Sequence, residues 1–322
     1  FWLKGRVAVT LPIKQLCGPR VGLTARGCAR MAAGDAHVFR NGVLLRSDEP
    51  VAMDTSEEPA PLDARGGPGG AVAAAVDAAG GRCIRLFIAG AVTHVGKTTI
   101  CLSVLAALRK AGLQASELAY IKPATQCEAP DLLSWWCAAE GVEYVSGENA
   151  PLVFYQGFTR SFLAGEQGTS AQWLDKIAAK LDQMAQRRRV LIIDGVGFPA
   201  VGSIVGVDNA DVARAAKAPV LLVCKSGVGA AVDSFSLNSA YFLGKGVPVL
   251  GAVFNMGDLD GFNSWDKCAE AIGRWFTNIP GRRERFYGVV PMAQGGLDGL
   301  RERMDSTSDA QLRDLAALNA SH

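Results

Sequence analysis

The stretch Leu86-Phe-Ile-Ala-Gly-Ala-Val-Thr-His-Val-Gly-Lys-Thr-Thr99 decides which fold this sequence can adopt. It opens with the apolar residues of a buried strand, and apolar side chains recur at helical spacing after Thr98. The loop between them starts at Gly90 and closes on Gly96 and Lys97. Glycines at these two places permit the tight backbone path that turns amide N–H groups toward a phosphate. The order of strand, glycine loop and helix therefore predicts a phosphate-binding loop.

The side chains of this loop suit ATP together with Mg²⁺. The amino terminus of the following helix adds free N–H donors and its positive dipole end. Lys97 can reach the β- and γ-phosphates, and the Thr98 hydroxyl suits the metal ion. The glycine spacing is one residue longer than in the usual P-loop, so a turn with a chance Gly-Lys-Thr is the alternative. The candidate nucleotide-binding residues of the loop are Gly90, Thr93, His94, Val95, Gly96, Lys97, Thr98 and Thr99.

Further apolar runs of strand length follow along the chain. They are Ile84–Ala89, Leu118–Ile121, Val190–Ile193, Val220–Cys224, Val249–Phe254 and Phe286–Val290. Helical spacing is evident in 97–111, which Gly112 can end, and in 170–189, for which Ser170 is the predicted N-cap. Strands that are apolar throughout need cover on both faces, which favours a parallel sheet between helices. The predicted fold class is α/β, a three-layer P-loop NTPase fold with a mostly parallel sheet.

Two aspartates are candidate Mg²⁺ ligands. Asp194 ends the apolar run that begins at Val190, where a Walker-B carboxylate is expected, and an ordinary turn aspartate is the alternative. Asp131 lies beyond another strand and is either a metal ligand or a simple helix N-cap. Carboxyl ends of parallel strands meet at one edge of the sheet, so both aspartates are expected near the loop.

Lys122 closes the run Leu118-Ala-Tyr-Ile-Lys-Pro and is the second candidate catalytic residue beside Lys97. A lysine at a strand end can neutralise phosphate charge that develops during transfer. The alternative is a solvated lysine in a loop.

The amino-terminal part of the chain differs in charge and composition from the rest. Residues 1–30 contain six bases and no acid, residues 48–63 contain six acids and no base, and 65–81 is rich in Gly and Ala. Such stretches bury too little surface to offset their ordering entropy. We therefore expect a mostly disordered extension over 1–82 and a P-loop domain over 83–322. Residues 1–30 are either an organelle transit peptide or a translated leader before a start at Met31.

The overall composition favours a globular intracellular protein. Apolar residues make up 49% of the 322 residues, and 33 bases face 31 acids. The near-neutral charge gives no simple case for nucleic-acid binding, and no apolar run is long enough to span a membrane. Eight cysteines without a Cys-x-x-Cys pair favour a reducing compartment. We expect a cytoplasmic protein, or a mitochondrial one if the transit peptide is real, with a small-molecule substrate and neither nucleic acid nor membrane as partner.

Several segments together resemble the dethiobiotin synthetase family. The loop from Gly90 to Thr98 is similar to the long P-loop of those enzymes, and Ile121-Lys-Pro-Ala-Thr-Gln126 to their second-strand Lys-Pro motif. Asp194-Gly-Val-Gly matches the position of their Glu-Gly-Ala-Gly. The resemblance covers about residues 83–295, with the segments in the same order. It implies a homodimer whose acceptor site lies near the subunit interface.

The resemblance also implies roles for individual residues. Lys122 would contact the phosphates and the reacting carbamate, and Asp131 would be a Mg²⁺ carboxylate. Asn255 resembles the asparagine that binds adenine, and Gly288-Val-Val-Pro291 resembles the segment that flanks the base.

The chain departs from the family near the expected acceptor. Ala91 and Val92 replace a threonine and an aspartate, Gln126 replaces a serine, and Asp194 is shorter than the family's glutamate. The nucleotide half of the site is thus kept while the acceptor half differs.

Three functions remain open from the sequence. The first is an ATP-dependent carboxylase and cyclo-ligase of dethiobiotin synthetase type. The second is a related P-loop ligase for another acid or amine, as in cobyrinate amidation. The third is a non-catalytic nucleotide sensor, like the regulatory domain of some phosphate acetyltransferases. A ParA- or MinD-type ATPase is disfavoured, because no lysine lies between Gly90 and Gly96.

Overall fold

A computed structural model describes residues 38–40, 43–45, 82–126 and 131–292. The chain divides into two units, residues 1–62 and 63–322. In the first unit β1 (Val38–Arg40) pairs antiparallel with β2 (Val43–Leu45). Apart from these two strands and Arg82, the predicted disordered extension lies outside the described residues, as does the whole predicted transit segment. The domain boundary predicted after residue 82 stays a prediction.

From residue 82 onward, strands and helices alternate. The strands are β3 (Ile84–Gly90), β4 (Leu118–Ile121), β5 (Ala124–Thr125), β6 (Glu143–Val145), β7 (Leu152–Val153), β8 (Val190–Asp194), β9 (Val220–Lys225), β10 (Val249–Gly257) and β11 (Arg285–Pro291). The helices are α1 (Lys97–Lys110), α2 (Leu132–Glu140), α3 (Phe158–Leu163), α4 (Ser170–Ala185), α5 (Asn209–Ala215), α6 (Gly229–Gly244) and α7 (Trp265–Thr277). All six predicted strands are present, each within three residues of its predicted ends.

Seven strands form one sheet in the order β11-β10-β9-β3-β8-β4-β6, and every neighbouring pair is parallel. Strands β5 and β7 form a separate parallel pair. The chain leaves β3 for β4, returns to β8 between them, and then crosses to β9 on the other side of β3. Ligands of open α/β sheets bind where the strand order reverses in this way. The topology therefore places the crevice at the carboxyl end of β3.

Two apolar clusters cover the two faces of the sheet. Phe87 of β3 belongs to the cluster that contains Ile177 of α4, whereas the next residue, Ile88, belongs to the cluster that contains Leu105 of α1. All four side chains have no exposed surface. Successive strand residues point to opposite faces, so continuous apolar runs are required here. The predicted three-layer α/β fold is confirmed.

The end of α1 agrees with the sequence prediction. The helix spans Lys97–Lys110, one residue shorter than expected, and Gly112 follows with φ of 101°. A left-handed glycine at this place lets the chain turn away from the helix axis.

The predicted N-cap of α4 is wrong by one residue. Thr169 caps the helix by accepting from the Gln172 backbone N–H at 3.3 Å, and the Gln172 side chain accepts from the Thr169 N–H at 2.8 Å. This reciprocal pair satisfies two otherwise unpaired donors, which favours Thr169 over its neighbour. Ser170 instead donates its hydroxyl to the Val205 carbonyl at 2.7 Å. The helix ends at Ala185, four residues before its predicted end.

Among the described residues, none of the helices combines the length and the apolar character needed to cross a lipid bilayer.

Candidate functional site

The loop that joins β3 to α1 carries unused backbone donors. The N–H groups of residues 93–98 donate no hydrogen bond to any residue that the structure describes. His94 and Gly96 have left-handed backbones, with φ of 58° and 83°. Successive free N–H groups in such a turn, next to a helix amino terminus, form a concave site for an anion. The arrangement fits the phosphates of a nucleotide.

Gly96 is required by close packing as well as by its backbone angle. A β-carbon at this position would lie 2.3 Å from Asn255 Nδ2. That amide nitrogen donates to the Val95 carbonyl at 3.0 Å, and Asn255 is 5% exposed. Asn255 thus supports the loop from the end of β10. The adenine contact that the family resemblance implied for Asn255 stays a prediction.

A cleft of about 450 Å³ opens beside the loop. Its described lining residues are Thr93, His94, Gly96, Lys97, Thr98, Lys122, Thr125, Gln126, Gly195, Val196, Gly197 and Met256. Six of the predicted site residues are therefore brought together, including both candidate catalytic lysines. The other predicted binding residues, Gly90, Val95, Thr99, Asn255 and Pro291, are not among the lining residues.

Lys97 is held by the loop that follows β8. Its ammonium Nζ donates to the Gly197 carbonyl oxygen at 2.8 Å. Burial lowers the pKa of Lys97, while the charge of Asp194 partly opposes this effect. The site therefore keeps the lysine beside the free N–H groups of the loop, in contact with a neutral acceptor.

Asp194 lies at the end of β8 with no exposed surface. Its Oδ2 accepts from Thr98 Oγ1 at 3.0 Å and lies 3.6 Å from Lys122 Nζ. Its Oδ1 is also buried and has no hydrogen-bond partner among the described residues. An unpaired buried carboxylate oxygen is costly, and a bound cation would remove that cost.

Asp131 is the N-cap of α2, one of the two interpretations that the sequence left open, and its role as a metal ligand stays a prediction. Its Oδ1 caps α2 by accepting from Ser134 N at 2.9 Å and Ser134 Oγ at 2.7 Å. Its Oδ2 lies 3.7 Å from Lys122 Nζ, which also contacts Asp194. Asp131 is thus a helix cap whose second oxygen faces the cleft region.

Lys122 is not a solvated loop residue, because its side chain is 19% exposed and contacts two carboxylates. Burial by itself would lower the pKa of Lys122, but the charges of Asp194 and Asp131 outweigh it and raise the pKa. The ammonium is therefore a fixed positive charge at the carboxyl end of β4.

The oxygen atoms around Asp194 fit Mg²⁺. The Thr98 hydroxyl and the carboxylates of Asp131 and Asp194 are hard oxygen ligands, and Mg²⁺ commonly binds to one or two carboxylates together with substrate phosphates. In the part of the chain that the structure describes, no group of three or more His, Cys, Asp or Glu side chains could hold a metal ion by itself, so the two carboxylates would act together with the Thr98 hydroxyl. The predicted metal ligands are therefore chemically suited to the ion.

Sequence reasoning missed Tyr120. Its hydroxyl donates to Asp194 Oδ2 at 3.1 Å and lies 3.4 Å from Asp131 Oδ2. Burial raises the pKa of Tyr120 well above its usual value, and the two carboxylates raise it further. Its place in an apolar strand gave no sign of a polar contact.

Sequence reasoning also missed Asn209, the first residue of α5. Its Oδ1 accepts from Val196 N at 2.9 Å, and its Nδ2 donates to the carbonyls of Val196 and Phe198 at 2.7 and 2.8 Å. These bonds hold the loop that contains Gly197, the partner of Lys97. The only sequence signal is that Asn209 follows Asp208, the N-cap of α5.

Solved structures that resemble this chain include a nucleotide-binding protein and an ATPase. A nucleotide-binding protein from Archaeoglobus fulgidus in complex with ADP is 16% identical, with a TM-score of 0.37 over 77% of this chain and 92% of that chain. A ParA family ATPase from Chlorobium tepidum TLS is 12% identical, with a TM-score of 0.42 over 74% of this chain and 98% of that chain.

Two bacterial proteins with similar sequences are both named ATP-dependent dethiobiotin synthetase BioD. The ATP-dependent dethiobiotin synthetase BioD of Anaeromyxobacter dehalogenans (strain 2CP-C) is 29% identical over 174 residues, which cover 53% of this chain and 75% of that protein. The protein of the same name from Geobacillus kaustophilus (strain HTA426) is 28% identical over 187 residues, which cover 53% and 72%.

The sequence model of one family, described as "AAA domain", matches residues 84–273, more than half of the chain. The match begins at the first residue of β3 and ends within α7, so it contains the P-loop, Lys122, Asp131 and Asp194. The chain therefore belongs to the AAA domain family, as a dethiobiotin synthetase-like P-loop NTPase.

Proposed function

We propose that this chain is an ATP- and Mg²⁺-dependent ligase that phosphorylates the carbamate of a diamine and then closes a ring, as in dethiobiotin synthesis. The observation that carries the proposal is the position of Lys122, which lines the same cleft as Lys97 and contacts two carboxylates. A protein that only bound a nucleotide would not need a second fixed ammonium beside the phosphate loop. The names of the curated relatives support the same reaction.

The P-loop side of the cleft would bind the triphosphate. The N–H groups of residues 93–98 are free to donate to phosphate oxygens. Lys97 would exchange the Gly197 carbonyl for a phosphate oxygen, which is a stronger acceptor for an ammonium because it is charged. Asn255 keeps the loop in this shape through Val95.

Thr98, Asp131 and Asp194 are the residues that would hold Mg²⁺. When bound, the ion neutralises negative charge on the phosphate oxygens that are being transferred. The buried, unpaired Oδ1 of Asp194 supports this assignment.

The acceptor side of the cleft would bind the carbamate near Lys122. An amino group of the diamine would attack CO₂ and lose a proton, and the resulting carbamate oxygen would attack the γ-phosphorus while ADP leaves. The second amino group then attacks the carbamoyl carbon, the ring closes, and phosphate is expelled together with a proton from that nitrogen. Lys122 would stabilise charge on the transferring phosphoryl group, and the cleft would orient the reactants.

One observation favours a second candidate, a related ligase whose acceptor is a carboxylic acid. The described residues that line the cleft include two lysines and His94 but no acidic side chain. Asp131 and Asp194 contact Lys122 but are not among the described lining residues, so the charged side chains that line the cleft favour an anionic acceptor. In this case the carboxylate oxygen would attack the γ-phosphorus, ADP would leave, and an acyl phosphate would form.

The experiment that separates these functions is a phosphate-release assay with Mg²⁺ and ATP. We expect release that requires both bicarbonate and a diamine such as 7,8-diaminopelargonate, and none from the Lys97→Ala variant. Release that depends on a carboxylic acid instead would favour the second candidate. Tight ATP binding without acceptor-stimulated release would contradict an enzymatic function and favour a nucleotide sensor.

We also propose that the protein acts as a homodimer, as the family resemblance implies. Sedimentation equilibrium should give a mass near twice the 33.8 kDa of the chain. A monomer at micromolar concentration would contradict this part of the proposal.

A further inference from the structure

Tyr120 places a polar group inside an otherwise apolar layer. Its ring belongs to the apolar cluster between the sheet and α1, and the residue has no exposed surface. Its hydroxyl reaches the polar end of that layer, 3.1 Å from Asp194 Oδ2 and 3.4 Å from Asp131 Oδ2. The hydroxyl therefore lies between carboxylates from two different elements, β8 and the start of α2.

The contacts of Asp194 are unequally divided between its two oxygens. Oδ2 accepts from Thr98 and Tyr120 and faces Lys122, while Oδ1 has no partner among the described residues. Because both donors act on the same oxygen, they fix the rotation of the carboxylate. Oδ1 is then left free in a defined direction.

The strand register explains why Tyr120 occupies this position. Tyr120 pairs with Ile192 across β4 and β8, so that two residues farther along Lys122 lies beside Asp194. Residues two apart on a strand share a face. The hydroxyl of Tyr120 and the ammonium of Lys122 therefore approach the same pair of carboxylates from one side of the sheet.

We propose that Tyr120 is a positioning residue for the divalent cation, whose hydroxyl orients Asp194 so that its Oδ1 is available as a ligand. This assignment rests on the proposed Mg²⁺-dependent function. A phenolic hydroxyl is a hydrogen-bond donor at neutral pH, so this group can donate to the carboxylate. Groups that orient metal ligands commonly change metal affinity about 10- to 100-fold when they are removed.

The test is the Tyr120→Phe variant, which removes the hydroxyl and keeps the ring that fills the core. Calorimetric titration with ATP should give nearly the parental affinity in EDTA. The Mg²⁺ concentration for half-maximal enhancement of ATP binding should rise about 10- to 100-fold. The same shift should appear with Mn²⁺ in the presence of ATP, followed by its electron paramagnetic resonance signal, which needs no turnover.

Tyr241→Phe is the matched control. The Tyr241 hydroxyl donates to another aspartate, Asp208 Oδ2, at 2.6 Å, outside the cleft. Its loss should lower the melting temperature without changing the response to Mg²⁺. A thermal melt of both variants separates lost stability from lost positioning.

Two results would overturn the assignment. If Tyr120→Phe and Tyr241→Phe respond to Mg²⁺ as the parent does, the hydroxyl is only a structural group. If neither Mg²⁺ nor Mn²⁺ changes the ATP affinity of the parent, the proposed function is wrong and this assignment is wrong with it. The parental titration therefore distinguishes the two failures.

Discussion

Replacing Lys122 by methionine removes one positive charge from the cleft and keeps the apolar stem of the side chain. The ammonium lies 3.6 Å from Asp194 Oδ2 and 3.7 Å from Asp131 Oδ2. One such pair at an effective dielectric constant near 20 corresponds to about 4 kcal/mol before desolvation is subtracted. An ammonium held this firmly moves little when charge develops on a transferring phosphoryl group, so its stabilisation is available in the transition state.

We expect the kcat of Lys122→Met to fall by about 10²- to 10³-fold, which corresponds to roughly 3–4 kcal/mol of transition-state stabilisation. The affinity for ATP should fall less than about tenfold, because the N–H groups of the P-loop and Lys97 still bind the phosphates. The unequal effect on kcat and on binding is what identifies an interaction made mainly in the transition state.

The assay is acceptor-dependent phosphate release, combined with calorimetry for ATP binding. Lys110→Met is the matched control, since Lys110 is exposed in the last turn of α1, about 20 Å along the helix from the P-loop. The control should retain parental kcat. Parental turnover in Lys122→Met, or an equal loss of kcat and affinity, would refute the role of Lys122 in the transition state.

Three further changes test other parts of the site. Lys97→Ala should weaken ATP binding by at least about 100-fold in calorimetry, because the loop loses its cation beside the free N–H groups; unchanged affinity would contradict a P-loop function. Asp194→Asn should keep most of the ATP affinity but lose turnover and Mg²⁺ dependence, since an amide lacks the charge that a hard cation prefers. A Mg²⁺ optimum equal to that of the parent would show that Asp194 is an ordinary turn residue and no metal ligand. Asn209→Ala should lower the free energy of unfolding, measured in urea, by about 2–3 kcal/mol, because buried backbone groups of Val196 and Phe198 lose their hydrogen-bond partners. An unchanged urea midpoint would show that Asn209 does not stabilise this loop.

Features determined by neighbouring residues were predictable from the sequence. Buried parallel strands need apolar residues throughout, so β3 and β8 are visible as apolar runs. The P-loop is visible because its glycines, lysine and threonine all lie within the short segment from Gly90 to Thr98. Strand β6, by contrast, spans only Glu143–Val145 and exposes its first two residues, so an apolar run cannot reveal it.

Features determined by contacts across the fold were not predictable in the same way. Tyr120 lies 74 residues from Asp194 in sequence, and no local pattern distinguishes it from an apolar core residue. The Asn209 bonds to Val196 and Phe198 depend on the path of an irregular loop. The error at Ser170 has a different origin, because two adjacent hydroxyl residues compete for one cap and the side chain of Gln172 decides between them.

The bond from Lys97 to the Gly197 carbonyl has a consequence for the energetics of the catalytic cycle. A nucleotide that binds Lys97 must first break this 2.8 Å contact. The measured binding free energy therefore contains the difference between the free energy of the lysine–phosphate contact and that of the lysine–carbonyl contact. The same contact would re-form when the phosphates leave, so it lowers the free energy of the site without nucleotide. In the proposed reaction, an acceptor supplied by the protein itself would therefore limit inhibition by the product ADP. A variant in which the Gly197 carbonyl points away from Lys97 would bind ADP more tightly and release it more slowly.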